Sequence, residues 1–397
     1  MTIDHQKIEG ELEKILPEII QIRQHLHANP ELSLEEYETS ALVRERLKSR
    51  DIELLPPFLS TDVVAMLNTS HQGKNVTLRA DMDALPIQEQ GDLSYCSVKN
   101  QIMHACGHDG HMAILIGAAF ILEKFRKQLD GSVRFVFQPG EENVAAGKDL
   151  VAKGILRTPK PDAVLALHGW PGYPPGSICS RAGAMMAAAD IFKITIHGKG
   201  GHGSTPEQSQ DPILTATKII NDLYLLPSRK FSSLESLVIS ICKIRAGMNP
   251  NTIPDEAEME GTTRYFSKNV GKEIPDLFEK VIKTACNSSN TDYTLQYNRP
   301  YLATINDMEV VKNCKAYLQK SHSNISWIDL PAPVMASEDF SFYLESNPGA
   351  MFFLGMGEDS PKLHTNSFNF NDAALRNGIL FLVLSTIGLL KETPPNI

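Results

Sequence analysis

Three short apolar runs, Val76 to Leu78, Val133 to Phe137 and Val164 to Leu167, are each followed by groups that carry charge or bind metal. Asp81 and Asp83 follow the first, Glu141 and Glu142 the second, and His168 the third. Short apolar runs separated by helical stretches predict a largely parallel sheet covered by helices. In such a sheet, ligands bind beyond the carboxyl ends of the strands, so these groups are expected at one edge. The expected strands are Val63–Leu67, Asn75–Arg79, Ser132–Phe137 and Ala163–His168, with a helix from Asp109 to about Gln128.

Near Ala184 the pattern changes to strand Asp190–His197, helix Asp211–Leu226, strands Leu237–Ile244 and Glu256–Tyr265, helix Gly271–Cys286 and strand Tyr293–Tyr297. This β-α-β-β-α-β order is that of a ferredoxin-like unit. The fold class expected is therefore α/β: a catalytic domain with a mainly parallel sheet between helices, residues 1–184 and 302–397, and an inserted ferredoxin-like domain, residues 185–301. The first domain resumes with a helix Asp307–His322, a strand Ala350–Gly355 and a terminal helix. A length of 397 residues exceeds what one core usually supports, which agrees with more than one domain.

A formal charge of −9 with no Lys/Arg block argues against nucleic acid or an anionic membrane as partner and favours a small molecule. The longest apolar run, Gly378–Leu390, is too short to span a bilayer and reads as a buried helix. Met1–Glu13 lacks the basic and apolar regions of a secretory signal, and the six cysteines are widely scattered. Reduced thiols and a cytoplasmic location are expected.

The densest chemistry is Cys106-Gly107-His108-Asp109-Gly110-His111. Thiol and imidazole groups suit divalent transition metals, and glycines let a backbone turn tightly. Joined by Glu142, His168 and His364, Cys106 and His108 make five donors, enough for two ions of Mn, Zn, Co or Ni with Cys106 as a candidate bridge. Adjacent carboxylates divide the work, with Glu142 as ligand and Glu141 taking a proton from metal-activated water. His111 lies one turn from His108 and is read as a supporting group, and Asp109 as a helix cap. Asp81 either orients a metal-bound group or closes an Asx-type turn. His25 and His27 end an amphipathic first helix, where imidazoles are favoured by the dipole. His202, in Gly198-Lys199-Gly200-Gly201-His202-Gly203-Ser204, is either an incidental loop residue or a donor to an oxyanion.

Taken in order, Arg23–Glu36, Leu78–Ile87, His104–His111, Gln138–Glu142, Gly198–Gly203, Asn251–Asp255, Ser337–Phe340 and His364–Asp372 closely resemble the amidohydrolase branch of the aminoacylase and carboxypeptidase-type dinuclear metallohydrolases. That branch includes hippurate hydrolases, N-acetyl-diaminopimelate deacetylases and plant auxin-conjugate hydrolases. The resemblance implies metal ligation by Cys106, His108, Glu142, His168 and His364, with Glu141 as base. It also implies that His202 stabilises the transition state, in related enzymes often in a neighbouring subunit's site, and that Asn251 and Arg264 contact the substrate. The inserted domain would act as a lid and pair two copies into a homodimer. The function expected is hydrolysis of the amide of an N-acyl amino acid. A dipeptidase, or a non-catalytic metal-binding protein of the same fold, is the alternative.

Three departures fall beside these motifs. Asn143-Val144-Ala145-Ala146 stands where many relatives have a glycine-rich run, Glu207 where many have His, and Gly169-Trp170 follows His168 where an aliphatic residue is commoner. None removes a ligand. They bear on the shape and charge of the substrate pocket.

Overall fold

The computed structural model describes residues 3–69, 71–321 and 324–391. Residues 1–2 and 392–397, and the His322 end expected for one helix, lie outside the described residues. The chain divides into two compact units: Met1–Met185 with Ile305–Ala332 and Asp339–Ile397, and Met186–Thr304 with Pro333–Glu338.

In the first unit, near-continuous apolar runs mark strands covered on both faces. Ala163–Trp170 and Gly349–Gly355 are buried along almost their whole length, as are the later parts of His71–Asp81 and Asp130–Gln138. These four pair in parallel, in the order Asp130–Gln138, His71–Asp81, Ala163–Trp170, Gly349–Gly355. Val63–Asn68 joins antiparallel on one side, carrying Glu53–Leu54, and Ile178–Ser180 on the other, carrying Trp327–Asp329, to complete eight strands. Register sets Asp81 beside Gln138 and His168 beside Phe353, so the polar strand ends share one edge of the sheet.

The helix His108–Lys124 is buried throughout from His108 to Leu122. A helix apolar on all sides must be covered on all sides. It packs between the helices His5–Ala28 and Leu375–Leu390 and against the central strands. Of the described helices, one, Asp372–Leu390, is long and apolar enough to cross a membrane, and 78% of it is buried in the protein.

Most element bounds differ from expectation by a few residues, as at Lys268–Ser289 and Asp292–Tyr301. The strand expected from Asn75 begins at His71, because its leading residues are exposed and polar and give no apolar signal. The central helix stops at Lys124, and Arg126–Gln128 form a 3-10 turn instead.

The second unit is a four-stranded antiparallel sheet in the order Leu237–Ala246, Glu256–Tyr265, Ala188–His197, Asp292–Tyr301. This is the ferredoxin-like strand order. Burial alternates strictly along most of Glu256–Tyr265, which turns one face to the helices Pro212–Arg229 and Lys268–Ser289. Val270, Ile274, Phe278 and Ile282, spaced one helical turn apart, fill the core with Phe192, Ile194, Ile219 and Leu223. Pro333–Glu338, which the sequence assigns to the first domain, groups with this unit, and Ala187 N donates to Val334 O and Ala336 O.

Candidate metal centre

The two glycines of the Cys106–His111 segment do different work. Gly107 caps the helix in the left-handed region, φ +86°, a conformation that costs an L residue about 1–2 kcal/mol. Gly110 is helical, and a Cβ there would lie 2.3 Å from Phe370 Cδ2. Its smallness admits the Phe370 ring rather than a turn. The turn at Gly107 brings Cys106 and His108 to the polar edge of the sheet. His364 reaches the same edge from a loop, where it adopts φ +62° and its N–H donates to Ala105 O at 2.8 Å. Glu141 and Glu142 begin the short helix Glu141–Val144, with Gly140 at φ +64° before it.

Cys106 Sγ lies 3.4 Å from His168 Nε2 and 3.3 Å from His364 Nε2. His364 Nε2 is 3.2 Å from Glu142 Oε1, and His108 Nε2 is 3.8 Å from the same oxygen. Donor atoms within 4.8 Å of one another fall into overlapping groups, among them Asp81, His108, His111 and His168, and Cys106, Glu142 and His364. Of these, the His364 side chain is half exposed, at 52%, whereas His108 and Asp81 are wholly buried.

Hydrogen bonds decide which imidazoles are free to bind. His168 Nδ1 lies 2.8 Å from Gly169 O and therefore carries the proton, which leaves the Nε2 lone pair toward Cys106. Gly169 N donates to His111 Nε2 at 2.7 Å, so His111 Nδ1 carries the proton toward Asp81 Oδ1, 2.7 Å away. Both His111 nitrogens are thereby engaged. Those of His108 are buried and make no hydrogen bond among the described residues, although Asp83 Oδ1 stands 3.4 Å from Nδ1.

The electrostatics favour positive charge at this spot. Burial opposes it, yet Asp81, Asp83 and Glu142 together raise His108 to about 10. Burial alone would raise the Asp81 carboxyl, but His108, His111 and Arg79 hold it well below the ordinary range. Burial, then the charges of Glu142, Glu141 and Asp81, push the Cys106 thiol well above its ordinary value. A thiol facing carboxylates in a dry site is a poor anion unless a cation is present, and a coordinated thiol is deprotonated outright. Burial and His111 hold His168 well below 6.5, which leaves it a neutral donor. Unbonded buried imidazole nitrogens, a thiol and a carboxylate fit divalent transition-metal ions.

Around the donors lies a buried network. Arg79 donates to Asp81 Oδ2 at 2.7 Å and to Asp339 Oδ1 at 2.8 Å, and Asp339 also accepts from Gln138 and from Gly147 N. Asp83 accepts from Glu141 N at 2.9 Å and Glu142 N at 3.0 Å. Sequence reasoning gave Asp83 no separate role. Its two-residue spacing from Asp81 at a strand end was the available signal. Asp109 does not cap its helix. Its Oδ2 lies 2.9 Å from His27 Nδ1 and accepts from Arg23 Nη1 at 3.4 Å, because both partners come from the buried face of the first helix. His27 is accordingly buried and paired, with Glu89 on its other nitrogen at 3.0 Å.

The Gly169-Trp170 departure has a local reason. A Cβ on Gly169 would lie 3.1 Å from the Phe370 ring, 3.2 Å from Met356 Sδ and 3.4 Å from His111 Nε2. Trp170 stacks on Phe353 at 4.0 Å and lies 5.7 Å from the His168 ring. Ala145 occupies a left-handed conformation, φ +54°.

The other expected residues lie in the second unit. His202 is exposed, and Ser204 N donates to its Nδ1 at 3.2 Å, which puts the proton on Nε2. Asn251 is exposed and its carbonyl accepts from Gly203 N at 2.8 Å. Arg264 is half-buried, and its Nη1 donates to Ser337 Oγ.

A mainly parallel α/β unit with thiol, imidazole and carboxylate groups gathered beyond its strand ends suits metal-dependent hydrolysis. The chain belongs to Peptidase family M20/M25/M40, which residues 77–385 match. It is 37% identical over 390 residues to thermostable carboxypeptidase 2 of Saccharolobus solfataricus, covering 96% of this chain and 98% of that one. It is 36% identical over 392 residues to N-acetyl-L-cysteine deacetylase of Bacillus subtilis, covering 99% and 93%. Among solved structures it is similar to a dinuclear metal-binding peptidase of the M20 family from Bacillus subtilis, with a TM-score of 0.84, 31% identity and coverage of 96% and 99%. The chain is thus a hydrolase acting on amides.

Proposed function

We propose that this chain hydrolyses the amide joining an acyl group to an amino acid, with Glu141 as general base and two divalent ions held by Cys106, His108, Glu142, His168 and His364. The observation that carries the reading is Cys106 Sγ within 3.4 Å of His168 Nε2 and 3.3 Å of His364 Nε2, which brings a thiol and two imidazoles around one point. When bound, such ions polarise a carbonyl and lower the pKa of water to about 7. Mn, Zn, Ni and Co all suit these donors.

Glu141 is 6% exposed, with its backbone held by Asp83, so its carboxylate stays close to one position. It takes the proton from the attacking water and passes it to the leaving nitrogen. His202, with its proton on Nε2, donates to the carbonyl oxygen as charge builds there. Asn251 and Arg264 orient the substrate's amide or carboxylate. His111 and Asp81 hold each other and leave His168 and His108 to bind.

The acyl-amino-acid reading draws on the deacetylase relative. A peptide substrate with a free carboxyl end is the second reading, favoured by the carboxypeptidase relative. A homodimer through the second unit is supported by the edge strand Leu237–Ala246, whose outer side is unpaired in the sheet, beside a helix exposing Leu214, Tyr224 and Leu225. The six free cysteines support a cytoplasmic location.

The test is a panel of N-acyl amino acids and free dipeptides, assayed before and after EDTA treatment and on restoring each metal. Glu141→Gln is expected to lower kcat by about 10³-fold at unchanged metal content. Retained turnover overturns the base assignment. A preference for free dipeptides overturns the acyl assignment.

A further inference from the structure

Helix Glu141–Val144 is a single turn, too short to hold its own direction. Its N-cap is Gly140, which has no side chain to accept from the first amides. Those amides are instead held by carboxylates from distant parts of the chain. Asp83 takes Glu141 N and Glu142 N, and Glu36 Oε1 takes Gly140 N at 2.9 Å. Glu36 Oε2 accepts from Thr61 Oγ1 at 2.7 Å, and both Glu36 and Thr61 are 0% exposed.

Glu36 is itself the N-cap residue of the helix Tyr37–Lys48, yet its side chain does not cap that helix. Glu31 accepts from the Glu38 and Thr39 amides in its place. Glu36 is left to face Gly140, 104 residues away in sequence. Burying a carboxyl group is costly, and nothing in the local helix requires it.

We propose that Glu36 is a positioning residue for the reaction, which fixes Gly140 and through it the direction in which Glu141 and Glu142 leave the strand end. This rests on Glu141 as base and Glu142 as ligand. The acceptor oxygen matters rather than the charge. Burial, with the Asp83 charge adding to it against the Thr61 hydrogen bond, raises Glu36 to about 7, and the group presents an oxygen to Gly140 in either form. A glutamine amide does the same and donates its NH₂ to the Thr61 hydroxyl, which is able to accept.

Glu36→Gln and Glu36→Met separate the acceptor from the volume. Each full-length variant is measured for kcat and KM on the best panel substrate, for Mn²⁺ affinity by titration of metal-free protein, and for melting temperature. Glu36→Gln is expected to keep kcat and Mn²⁺ affinity within about threefold of wild type. Glu36→Met, which leaves Gly140 N–H buried without an acceptor, is expected to lower kcat and Mn²⁺ affinity by about 10–100-fold each with KM little changed. A folded Glu36→Met protein with wild-type kcat and Mn²⁺ affinity overturns the proposal, as does a Glu36→Gln protein damaged as badly. Should Glu36→Met fail to fold, Thr61→Val, which removes the hydroxyl that holds Glu36, replaces it, with loss of kcat and Mn²⁺ affinity expected and wild-type values overturning. Mn²⁺ affinity reads the positioning of Glu142 whether or not any panel substrate is turned over. The base assignment stands or falls separately on Glu141→Gln.

Discussion

Gly10 and Gly110 both sit in helices, and replacing each by alanine is expected to move stability in opposite directions. Gly10 is exposed in the helix His5–Ala28, and a Cβ there meets no atom within 4 Å. Only the helix propensity changes, by about 0.8–1 kcal/mol in favour of alanine. At Gly110 the same gain meets the Phe370 ring, with Cδ2 at 2.3 Å and Cε2 and Cγ at 2.4 Å from the new methyl. Carbon atoms pack best about 3.5–4.0 Å apart, so the ring must retreat by about 1 Å or more. It has little room to do so, being 0% exposed and set edge-on against His111 at 6.0 Å. Overpacking of this kind costs about 1–3 kcal/mol, which outweighs the propensity gain. Scanning calorimetry at one scan rate should show Gly10→Ala melting about 1–2 °C higher, and Gly110→Ala lower by a similar or larger amount. Phe370→Leu should be less harmful in the Gly110→Ala background than in wild type. If Gly110→Ala melts above wild type, or Phe370→Leu costs the same in both backgrounds, the steric argument fails.

His27 links stability to pH. Against the opposing effect of burial, Asp109 and Glu89 raise it from 6.5 to about 9, on the order of 3 kcal/mol. A group raised in the folded state contributes in full below about 6.5 and loses that contribution as pH climbs through 9. The melting-temperature advantage of wild type over His27→Gln should therefore shrink between pH 6 and pH 9.5, and a constant difference would count against this ion pair. For His202, replacement by alanine is expected to lower kcat by about 10²-fold at unchanged metal content. Equal kcat in the two proteins removes it from the mechanism.

Periodicity and composition located the strands of the central sheet because their signal is local: a run such as Val164–Leu167 is apolar whatever it later touches. Strand ends in a parallel sheet share an edge, so the gathering of Asp81, Glu142 and His168 could be read before any coordinates. What escaped was held by contacts between remote segments. Glu36 meets Gly140 and Arg23 meets Asp109 across 104 and 86 residues, and neither pair carries a local pattern. Asp109 shows how the nearer rule misleads, since an acid at a helix start reads as a cap until a buried Arg and His compete for it. Gly110 was legible as important but not for its reason, which depends on the Phe370 ring far along the chain.

The donors' order along the chain has a consequence for biosynthesis. Cys106, His108, Glu142 and His168 emerge from the ribosome early, whereas His364 follows only after the whole second unit has been made. At about 5–20 residues per second, the interval from His168 to His364 is on the order of 10–40 s. The helix Leu375–Leu390, which packs against the His108–Lys124 helix, emerges later still. During that interval the nascent first unit presents an uncovered apolar helix and an incomplete set of metal donors, while the second unit, with its own core, is free to fold. The segment from His364 to Leu390 thus carries both the last of the five proposed donors and a helix that covers the core, which would tie metal loading to the making of that segment.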